Sequence, residues 1–299
     1  MITHVTASAA DFEEHRPRMF GIAYRMLGSA AEAEDTVQDA YLRWVGADRG
    51  GIENPGAWLA KVVTNLCLNH LTSARARREQ YVGPWLPEPV LTGGGALGPL
   101  ETAEQRESVS TALLVLLEQL TPVERAVYVL REAFAYGHRE IAGLLDLTEA
   151  NCRQLYRRAA ARVAADRPAA AGPRFEPDPA RWQGLVETFL TAAQSGDLSR
   201  LEGLLTADVR YVSDGGGVVG AAVRPILGRD KVARFAMGAL RKYVAGLPVS
   251  VVEVNGAPAL LFGEVAILSV ELENGLVSGI STVVNPEKLA FLRRQLSHP

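Results

Sequence analysis

The chain has 299 residues, a formal net charge of −3, 48% hydrophobic residues and 22% charged residues. This composition is typical of a globular protein, and the length allows about two domains of the usual ~150 residues. No apolar run approaches the ~20 residues that span a bilayer, and the N-terminus lacks the basic-then-apolar order of a secretory signal. Because Cys67 and Cys152 are the only cysteines, a disulfide framework and a cysteine-rich metal site are excluded. We therefore expect a cytoplasmic protein that holds no metal and no cofactor.

Three helices are predicted in the first 80 residues. The first lies near Phe12–Leu27 and stops at Gly28, and the second lies near Ala31–Val45. Acidic side chains open the second helix at its N-terminal end, where the helix dipole favours negative charge. The third helix follows Asn54-Pro55. A stretch rich in Gly and Pro, residues 82–100, then excludes regular structure.

The segment Thr121–Arg167 predicts a helix-turn-helix. Thr121 and Pro122 are typical of a helix N-terminus. Gly137 interrupts the helical pattern, and Thr148 is placed to cap a last helix. The inward stripe of that last helix consists of Cys152, Leu155, Tyr156 and Ala159.

The last helix of this segment is strongly cationic. Residues 151–167 contain five arginines and one aspartate, a net charge of +4. A cationic helix docked on its neighbour can enter a DNA major groove. The alternative is a helical hairpin with a solvated arginine face. The candidate DNA-binding residues are Arg153, Gln154, Arg157, Arg158 and Arg162.

An α+β domain is predicted after a second linker, Arg167–Pro179. Helical patterns come first, and a run of alternating strands follows, joined by turns such as Asn255-Gly256 and Asn274-Gly275. Helices followed by antiparallel strands favour an α+β cone, in which a curved sheet wraps around long helices. The predicted helices are Arg181–Ser195, Asp197–Leu205 and Lys231–Leu240, and the predicted strands are residues 208–213, Val249–Val254, Leu260–Phe262, Glu264–Leu272 and Leu276–Val284.

Three blocks of the chain resemble, in this order, bacterial RNA polymerase sigma factors of the extracytoplasmic-function class. They are GIAYRMLGSAAEAEDTVQDAYLRWV (Gly21–Val45), NPGAWLAKVVTNLCLNHLTSARARRE (Asn54–Glu79) and the helix-turn-helix. An ordered combination of this kind is more specific than a helix-turn-helix alone. The resemblance implies a sigma-two domain built from the first two blocks and a sigma-four domain that contains the third.

The resemblance also implies two partners, core RNA polymerase and promoter DNA. The second helix would dock on the basic coiled coil of the polymerase clamp through Glu34, Asp35, Gln38, Asp39 and Arg43. The third helix would read and melt the promoter −10 element, and the helix-turn-helix would contact the −35 element. The residues that match on the third helix are Lys61, Asn65, Asn69, Arg75, Arg77 and Arg78. Trp58 matches as well, although its apolar stripe with Val62 and Leu66 favours a core role. The family often has Asp where this chain has Asn69.

Three shorter motifs match signatures of sigma factors that carry a fused SnoaL-like C-terminal domain. They are WLPEPV (Trp85–Val90), DGGG (Asp214–Gly217) and NPEKL (Asn285–Leu289). Val218 follows DGGG where the group usually has a basic residue. We expect the three motifs to meet, so that the C-terminal domain regulates the sigma domains and no separate anti-sigma factor is required. The regulatory candidates are Trp85, Leu86, Pro87, Glu88, Pro89, Asp214, Gly215, Gly216, Gly217, Asn285, Pro286, Glu287, Lys288 and Leu289.

The expected protein is therefore multi-domain, with two all-α sigma domains followed by an α+β cone that is SnoaL-like or NTF2-like. The expected boundaries are 8–80 for sigma-two, 81–103 for a linker, 104–166 for sigma-four, 167–179 for a second linker and 180–299 for the C-terminal domain.

Two alternatives stay open at the level of the sequence. One is a one-component regulator whose C-terminal domain binds a small-molecule ligand, and the other is a SnoaL-type cyclase or isomerase. Catalysis is disfavoured, because the candidate carboxylates Asp208 and Asp214 lie at strand ends, and His298 is the only histidine after His138. We expect no enzymatic activity and no membrane partner, and whether the cone binds a small molecule is left open.

Overall fold

The computed structural model describes residues 2–79, 81–93, 97, 103–165 and 179–297. The chain forms two compact units: an N-terminal unit of Met1–Gln80 with Val90–Pro168, and a C-terminal unit of Tyr81–Pro89 with Ala169–His298. The two predicted sigma domains thus share one unit, and the start of the predicted 81–103 linker belongs to the other. Among the described residues, no helix is long and apolar enough to cross a membrane.

Three helices form the first part of the N-terminal unit. They are α1 (Ile2–Leu27), α2 (Ala30–Gly46) and α3 (Pro55–Glu79), with a 3-10 turn at Arg49–Gly51. Helix α1 ends where Gly28 takes a positive φ of 66°, as predicted. It begins well before the predicted start and continues through Pro17, because residues 2–11 lack the apolar stripe by which a helix is recognised. Ser29 caps α2 by accepting the N–H of Glu32 at 3.1 Å.

The second part of the N-terminal unit contains the predicted helix-turn-helix. The helices of this second part are α4 (Ala103–Glu107), α5 (Thr111–Leu117), α6 (Pro122–Phe134), α7 (His138–Leu144) and α8 (Glu149–Ala165). The helix-turn-helix was predicted for the region of the last three. Thr121 and Glu124 form a reciprocal capping box at the start of α6. The Thr148 hydroxyl accepts the N–H of Asn151 at 3.2 Å, which confirms the predicted cap of α8. The helix break falls at Ala135, with φ 55°, and Gly137 caps α7 instead.

The C-terminal unit is a six-stranded mixed sheet with helices. The helices are α9 (Pro179–Ser195), α10 (Leu198–Gly203), α11 (Arg229–Ala239), which continues into a π-helical turn at Leu240–Val244, and α12 (Ala290–Ser297). The strands are β1 (Leu205–Asp214), β2 (Ile226–Leu227), β3 (Val249–Val254), β4 (Ala257–Phe262), β5 (Ala266–Glu273) and β6 (Leu276–Val283), in the order β2-β1-β6-β5-β4-β3. The expectation of an antiparallel run is wrong at one place, because β1 pairs with β6 in parallel.

Local signals set the hairpins of this sheet. Asn255-Gly256 and Asn274-Gly275 all take positive φ values, which two-residue turns between antiparallel strands require. The turns fix the registers Val254↔Ala257 and Glu273↔Leu276. The predicted fold class, helical sigma domains followed by an α+β domain, is confirmed.

Candidate functional sites

An acidic face on α2 carries the residues expected to bind polymerase. Asp35, Gln38, Asp39 and Arg43 are exposed and Glu34 is partly exposed, whereas Ala33, Val37, Ala40 and Trp44 face the core. Leu42 is 62% exposed and follows Asp39 by three residues and Asp35 by seven, so it shares their face. Sequence reasoning missed Leu42, although the same spacing would have placed it there. The face therefore combines carboxylates with an exposed apolar side chain.

Helix α3 carries the residues expected to contact the −10 element. Asn69 is exposed and Asn65 is half-buried. Trp58 is half-buried and packs on Trp44 with ring centroids 5.7 Å apart, which fits the core alternative. The side chains of Arg75, Arg77 and Arg78 lie outside the described residues, although their backbone belongs to α3.

Lys61 of α3 has a partner that the sequence did not indicate. Its Nζ atom donates to Asp146 Oδ1 at 2.8 Å and to the carbonyl oxygen of Gly143 at 3.3 Å. Gly143 belongs to α7, and Asp146 lies in the turn that leads to α8, where it takes a positive φ of 53°. A residue expected to face promoter DNA thus contacts the helix-turn-helix.

Helix α8 has the two faces that the sequence predicts. Cys152, Leu155 and Ala159 are buried, and Tyr156 is half-buried with its hydroxyl donating to Glu132 at 2.8 Å. The five candidate DNA-binding side chains are all exposed: Arg153, Gln154, Arg157, Arg158 and Arg162. Arg153 is paired with Glu149 one turn earlier. The helix therefore presents cations to solvent while it packs on α6 and α7.

Two of those arginines also hold α8 on α6. Arg162 NH1 and Arg158 Nε lie 2.7 and 3.2 Å from the carboxylate of Glu124, which is almost fully buried. Burial opposes ionisation of Glu124, but the hydrogen bonds from Thr121 and the charges of Arg162 and Arg158 outweigh it and lower the pKa of this carboxyl. Glu124 thus joins the N-terminus of α6 to the recognition helix, a role that sequence reasoning missed.

The structure brings the WLPEPV, DGGG and NPEKL segments together around one carboxylate. Asp214, at the end of β1, is 0% exposed. Its Oδ2 atom accepts from Leu86 N and Lys288 Nζ, both at 2.7 Å, and its Oδ1 atom accepts from the Tyr81 hydroxyl at 2.5 Å and Gly216 N at 3.2 Å. We call this group the polar clasp; its members are Tyr81, Trp85, Leu86, Asp214, Asn285 and Lys288.

Aromatic rings enclose the cation of the polar clasp. Lys288 Nζ lies 4.3 Å from the ring centroid of Trp85 and 4.8 Å from that of Tyr81, and it also donates to the carbonyl oxygen of Leu86. Asn285 donates to the Tyr81 hydroxyl at 3.0 Å. Burial and the hydrogen bond to Asp214 raise the pKa of Tyr81 above its usual range, against the opposing effect of Asn285. Sequence reasoning did not include Tyr81.

Neighbouring atoms leave no room for a side chain at the glycines that follow Asp214. A Cβ atom on Gly215 would overlap the carbonyl oxygen of Val219, and one on Gly216 would overlap the amide of Asn285. Gly216 and Gly217 also take positive φ values of 60° and 75°, which side-chain-bearing residues rarely adopt. Val218, the departure from the group's pattern, is exposed.

The remaining motif residues differ in exposure. Glu88 and Leu289 are buried, as are Pro87 and Pro89, whereas Glu287 is exposed and Pro286 is half-buried. The N–H of Glu287 donates to Asn285 Oδ1 at 3.1 Å, so Asn285 joins the backbone of its own segment to Tyr81.

The interior of the C-terminal sheet is filled by side chains. Tyr211 and Phe235 meet edge to face with ring centroids 5.0 Å apart, and the Tyr211 hydroxyl lies 2.8 Å from Thr282 Oγ1. Two open clefts, of about 310 and 270 Å³, lie beside Arg241 and Leu185. Asp208 is exposed on β1. Within the described ranges, no group of three or more His, Cys, Asp or Glu residues is placed to hold a metal ion.

Comparison with known proteins identifies the family. Residues 12–77 match Sigma-70 region 2, and residues 110–163 match Sigma-70 region 4. A relative of the extracytoplasmic-function (ECF) class is 42% identical over 80% of the chain. The chain therefore belongs to the ECF RNA polymerase sigma factors, which direct the polymerase in transcription initiation.

Relatives from Mycobacterium tuberculosis match most of the chain. The ECF RNA polymerase sigma factor SigJ is 42% identical over 238 residues, which are 80% of this chain and 75% of that protein. The probable ECF sigma factor SigI is 33% identical over 302 aligned residues, 99% of both chains. The crystal structure of SigJ superimposes with a TM-score of 0.75 at 34% identity and covers 95% of this chain and 98% of that one.

Proposed function

We propose that this sigma factor binds core polymerase through α2, contacts the promoter through α3 and α8, and is regulated by its own C-terminal unit without a separate anti-sigma factor. The polar clasp is the observation that carries the regulatory part. Its residues come from the segment 81–89, which lies between the two sigma domains in the sequence, and from the neighbouring C-terminal ends of β1 and β6.

The polymerase contact rests on the acidic face of α2. Asp35 and Asp39 are four residues apart and exposed, and Leu42 adds an apolar contact on the same face. Complementary charge across an interface accelerates association and fixes register, and like charges repel. Exposed apolar surface beside charged groups is typical of a protein interface.

Reversal of the two carboxylates tests this contact. The double substitution Asp35→Lys and Asp39→Lys should abolish holoenzyme formation with core polymerase, measured by gel filtration or fluorescence anisotropy. Asp11→Lys with Glu14→Lys is the matched control, because it makes the same charge change at exposed positions of α1. Holoenzyme formation at wild-type affinity by the α2 variant would contradict the assignment.

The promoter contacts are divided along α8. Arg153, Gln154 and Arg157 lie in its N-terminal half, without a contact to Glu124, and are placed to read bases of the −35 element. Arg158 and Arg162 lie further along α8, where we expect them to contact phosphates, which carry no sequence information. Each of the two also pairs with Glu124.

Regulation follows from what the polar clasp restrains. The polar clasp holds residues 81–89 on the C-terminal unit. The part of the linker between the two sigma domains that is not held is therefore shorter than the sequence alone indicates. A tethered domain acts at high effective concentration, so weak contacts with the sigma domains would be largely formed. The Asp214 carboxylate is occupied by four donors, which supports a structural role over general-base catalysis.

Run-off transcription with core polymerase tests the regulatory role. The chain truncated after Gly172 should give a changed promoter output compared with the full chain, because residues 81–89 then lose their contacts with Asp214 and Lys288. The full-length Lys288→Met variant should shift the output in the same direction, whereas Lys242→Met, at an exposed lysine of the C-terminal unit, should match wild type. Unchanged output from the first two proteins, both shown to be folded by circular dichroism, would leave the C-terminal unit without a regulatory role.

A further inference from the structure

Most of the positive charge of the recognition helix α8 is paired with carboxylates. Three of the four arginines that the structure describes on this helix have such a partner: Arg153 pairs with Glu149, and Arg158 and Arg162 both pair with Glu124 of α6. The charge that α8 can offer to DNA is therefore smaller than the net charge of +4 that its sequence indicates.

The carboxylate on α6 differs from the one on α8 in its access to water. The side chain of Glu149 is 41% exposed, so water can solvate it when Arg153 moves away. The side chain of Glu124 is 3% exposed. Its Oε2 atom also accepts from the N–H and the hydroxyl of Thr121, at 3.1 and 2.8 Å. Glu124 is therefore fixed in place, and water cannot readily replace its two arginines.

A DNA phosphate must compete with this buried carboxylate for Arg158 and Arg162. An arginine that moves to a phosphate leaves Glu124 with less compensation, which is unfavourable for a buried charge. An arginine that stays offers the phosphate a charge that Glu124 partly cancels, because two arginines and one carboxylate carry +2 − 1 = +1. The lowered pKa of Glu124 keeps the carboxylate ionised at neutral pH. Both routes therefore give less affinity for phosphate than two unpaired arginines would.

The two arginines are nevertheless accessible to DNA. The side chains of Arg158 and Arg162 are 53% and 51% exposed. Residues four positions apart lie on one face of a helix, about 6 Å from each other along its axis. A guanidinium group has several N–H donors, so the contacts of Arg158 Nε and Arg162 NH1 with Glu124 leave donors for a phosphate. Glu124 therefore weakens a phosphate contact at these positions without blocking it.

We propose that Glu124 limits the sequence-independent affinity of α8 for DNA by competing with phosphates for Arg158 and Arg162. The inference rests on the proposed promoter role of α8. Phosphate contacts are alike on every sequence, whereas contacts to base edges discriminate between sequences. A smaller phosphate contribution leaves less of the sigma factor bound to the many other sites of a genome, which compete with the promoter for it.

Salt titrations of DNA binding by the full chain test this competition. The probe is a fluorescein-labelled DNA duplex of random sequence, and fluorescence anisotropy measures its affinity between about 50 and 200 mM salt. Glu124→Gln releases one positive charge, so the plot of log affinity against log salt concentration should become steeper by roughly 0.9. The variant should bind roughly three- to tenfold more tightly than wild type at ~50 mM salt, and this gain should be about 3.5-fold smaller at ~200 mM.

The sign of this effect separates the competition from a merely structural role, since loss of a structural contact would weaken DNA binding or leave it unchanged. Glu132→Gln is the matched control, because it removes the same charge from an exposed position of α6 whose carboxylate accepts from the Tyr156 hydroxyl. It should bind as wild type. The double variant Glu124→Gln, Arg158→Gln restores the net charge of the cluster and should lose both the gain and the steeper slope. Wild-type or weaker binding by Glu124→Gln, or a gain that persists in the double variant, would overturn the proposal.

Arg157→Gln distinguishes failure of this proposal from failure of the function on which it rests. Arg157 is exposed on α8 and, within the described part of the chain, has no ion pair. Its removal should weaken binding to the random duplex if α8 contacts DNA, because each cation of a DNA-binding face adds to sequence-independent affinity. If Arg157→Gln weakens binding and Glu124→Gln gives no gain, the competition is wrong and the DNA role of α8 stands. If neither substitution changes binding, the DNA role of α8 is wrong and the competition falls with it.

Discussion

Two ion pairs of nearly equal length differ in their access to water. Lys61 and Asp146 are 2.8 Å apart, with side chains 38% and 76% exposed, whereas Lys288 and Asp214 are 2.7 Å apart, with side chains 8% and 0% exposed. Exposed pairs contribute about 0–1 kcal/mol, because water solvates both charges when they separate. Removal of one member of a buried pair costs about 3–5 kcal/mol, because the remaining charge is left without compensation.

The difference assigns different roles to the two contacts. The pair in the N-terminal unit is weak enough to open when a partner binds, whereas the pair in the polar clasp is a fixed part of the C-terminal unit. The fixed pair holds residues 81–89, and the weak pair joins the two surfaces expected to bind promoter DNA. Distance alone therefore does not tell whether an ion pair is a switch or a permanent support.

The largest effect is expected at the buried pair. Lys288→Met removes the cation from its position beside Trp85 and leaves Asp214 buried, so the free energy of unfolding should fall by about 3–5 kcal/mol in urea titrations. Lys242→Met, at an exposed position, should change it by less than ~0.5 kcal/mol. The double variant Asp214→Asn, Lys288→Met should lose less than Lys288→Met alone, because a neutral amide no longer needs a cation. A loss below ~1 kcal/mol for Lys288→Met would remove the distinction between the two pairs.

An intermediate effect is expected at Glu124, a buried carboxylate that faces two half-exposed arginines. Glu124→Gln keeps the capping geometry but loses both ion pairs, at a cost of about 1–2 kcal/mol after allowance for the exposure of the arginines. The lowered pKa of Glu124 means that its stabilisation is present above the ordinary value of 4.5 and is lost as the pH falls through the folded-state pKa. The wild-type protein should therefore lose more stability below about pH 5 than Glu124→Gln does, measured by urea titration across pH. Parallel pH profiles for the two proteins would contradict the assignment.

The smallest effect on stability is expected at the exposed pair. Asp146→Asn should lower the free energy of unfolding by less than ~1 kcal/mol, and 0.5 M salt should remove most of that difference, because exposed charges are screened. The Lys288→Met difference should persist in the same salt. A large, salt-insensitive loss for Asp146→Asn would place the Lys61 contact among the permanent supports.

Local elements of this protein were predicted well from the sequence. Thr121 and Thr148 cap the helices that they were expected to cap. The Asn-Gly turns join the strands that they were expected to join. The start of α1 was missed, because residues 2–11 form a helix without the apolar periodicity that would have indicated one.

For the candidate sites as well, one part was predicted from the sequence and another part was missed. The exposed faces of α2 and α8 were predicted because a helical period determines which side chains share a face, and their assignment to polymerase and promoter stays a prediction. Leu42 was missed on the first face, and the attachment of Arg158 and Arg162 to Glu124 was missed on the second. The three C-terminal motifs were expected to meet, but the sequence did not indicate Tyr81 or the enclosure of Lys288 by two aromatic rings.

The sequence by itself determined the caps, turns, helical faces and family, because each depends on residues within a few positions of one another or on the order of motifs. Only the tertiary structure decided that Lys61 meets Asp146, 85 positions away, that Lys288 pairs with Asp214, 74 positions away, and that β1 lies parallel to β6. Those pairings depend on how whole helices and strands pack. The packing also decided which of two similar ion pairs is shielded from water, and the energies of the two pairs follow from that shielding.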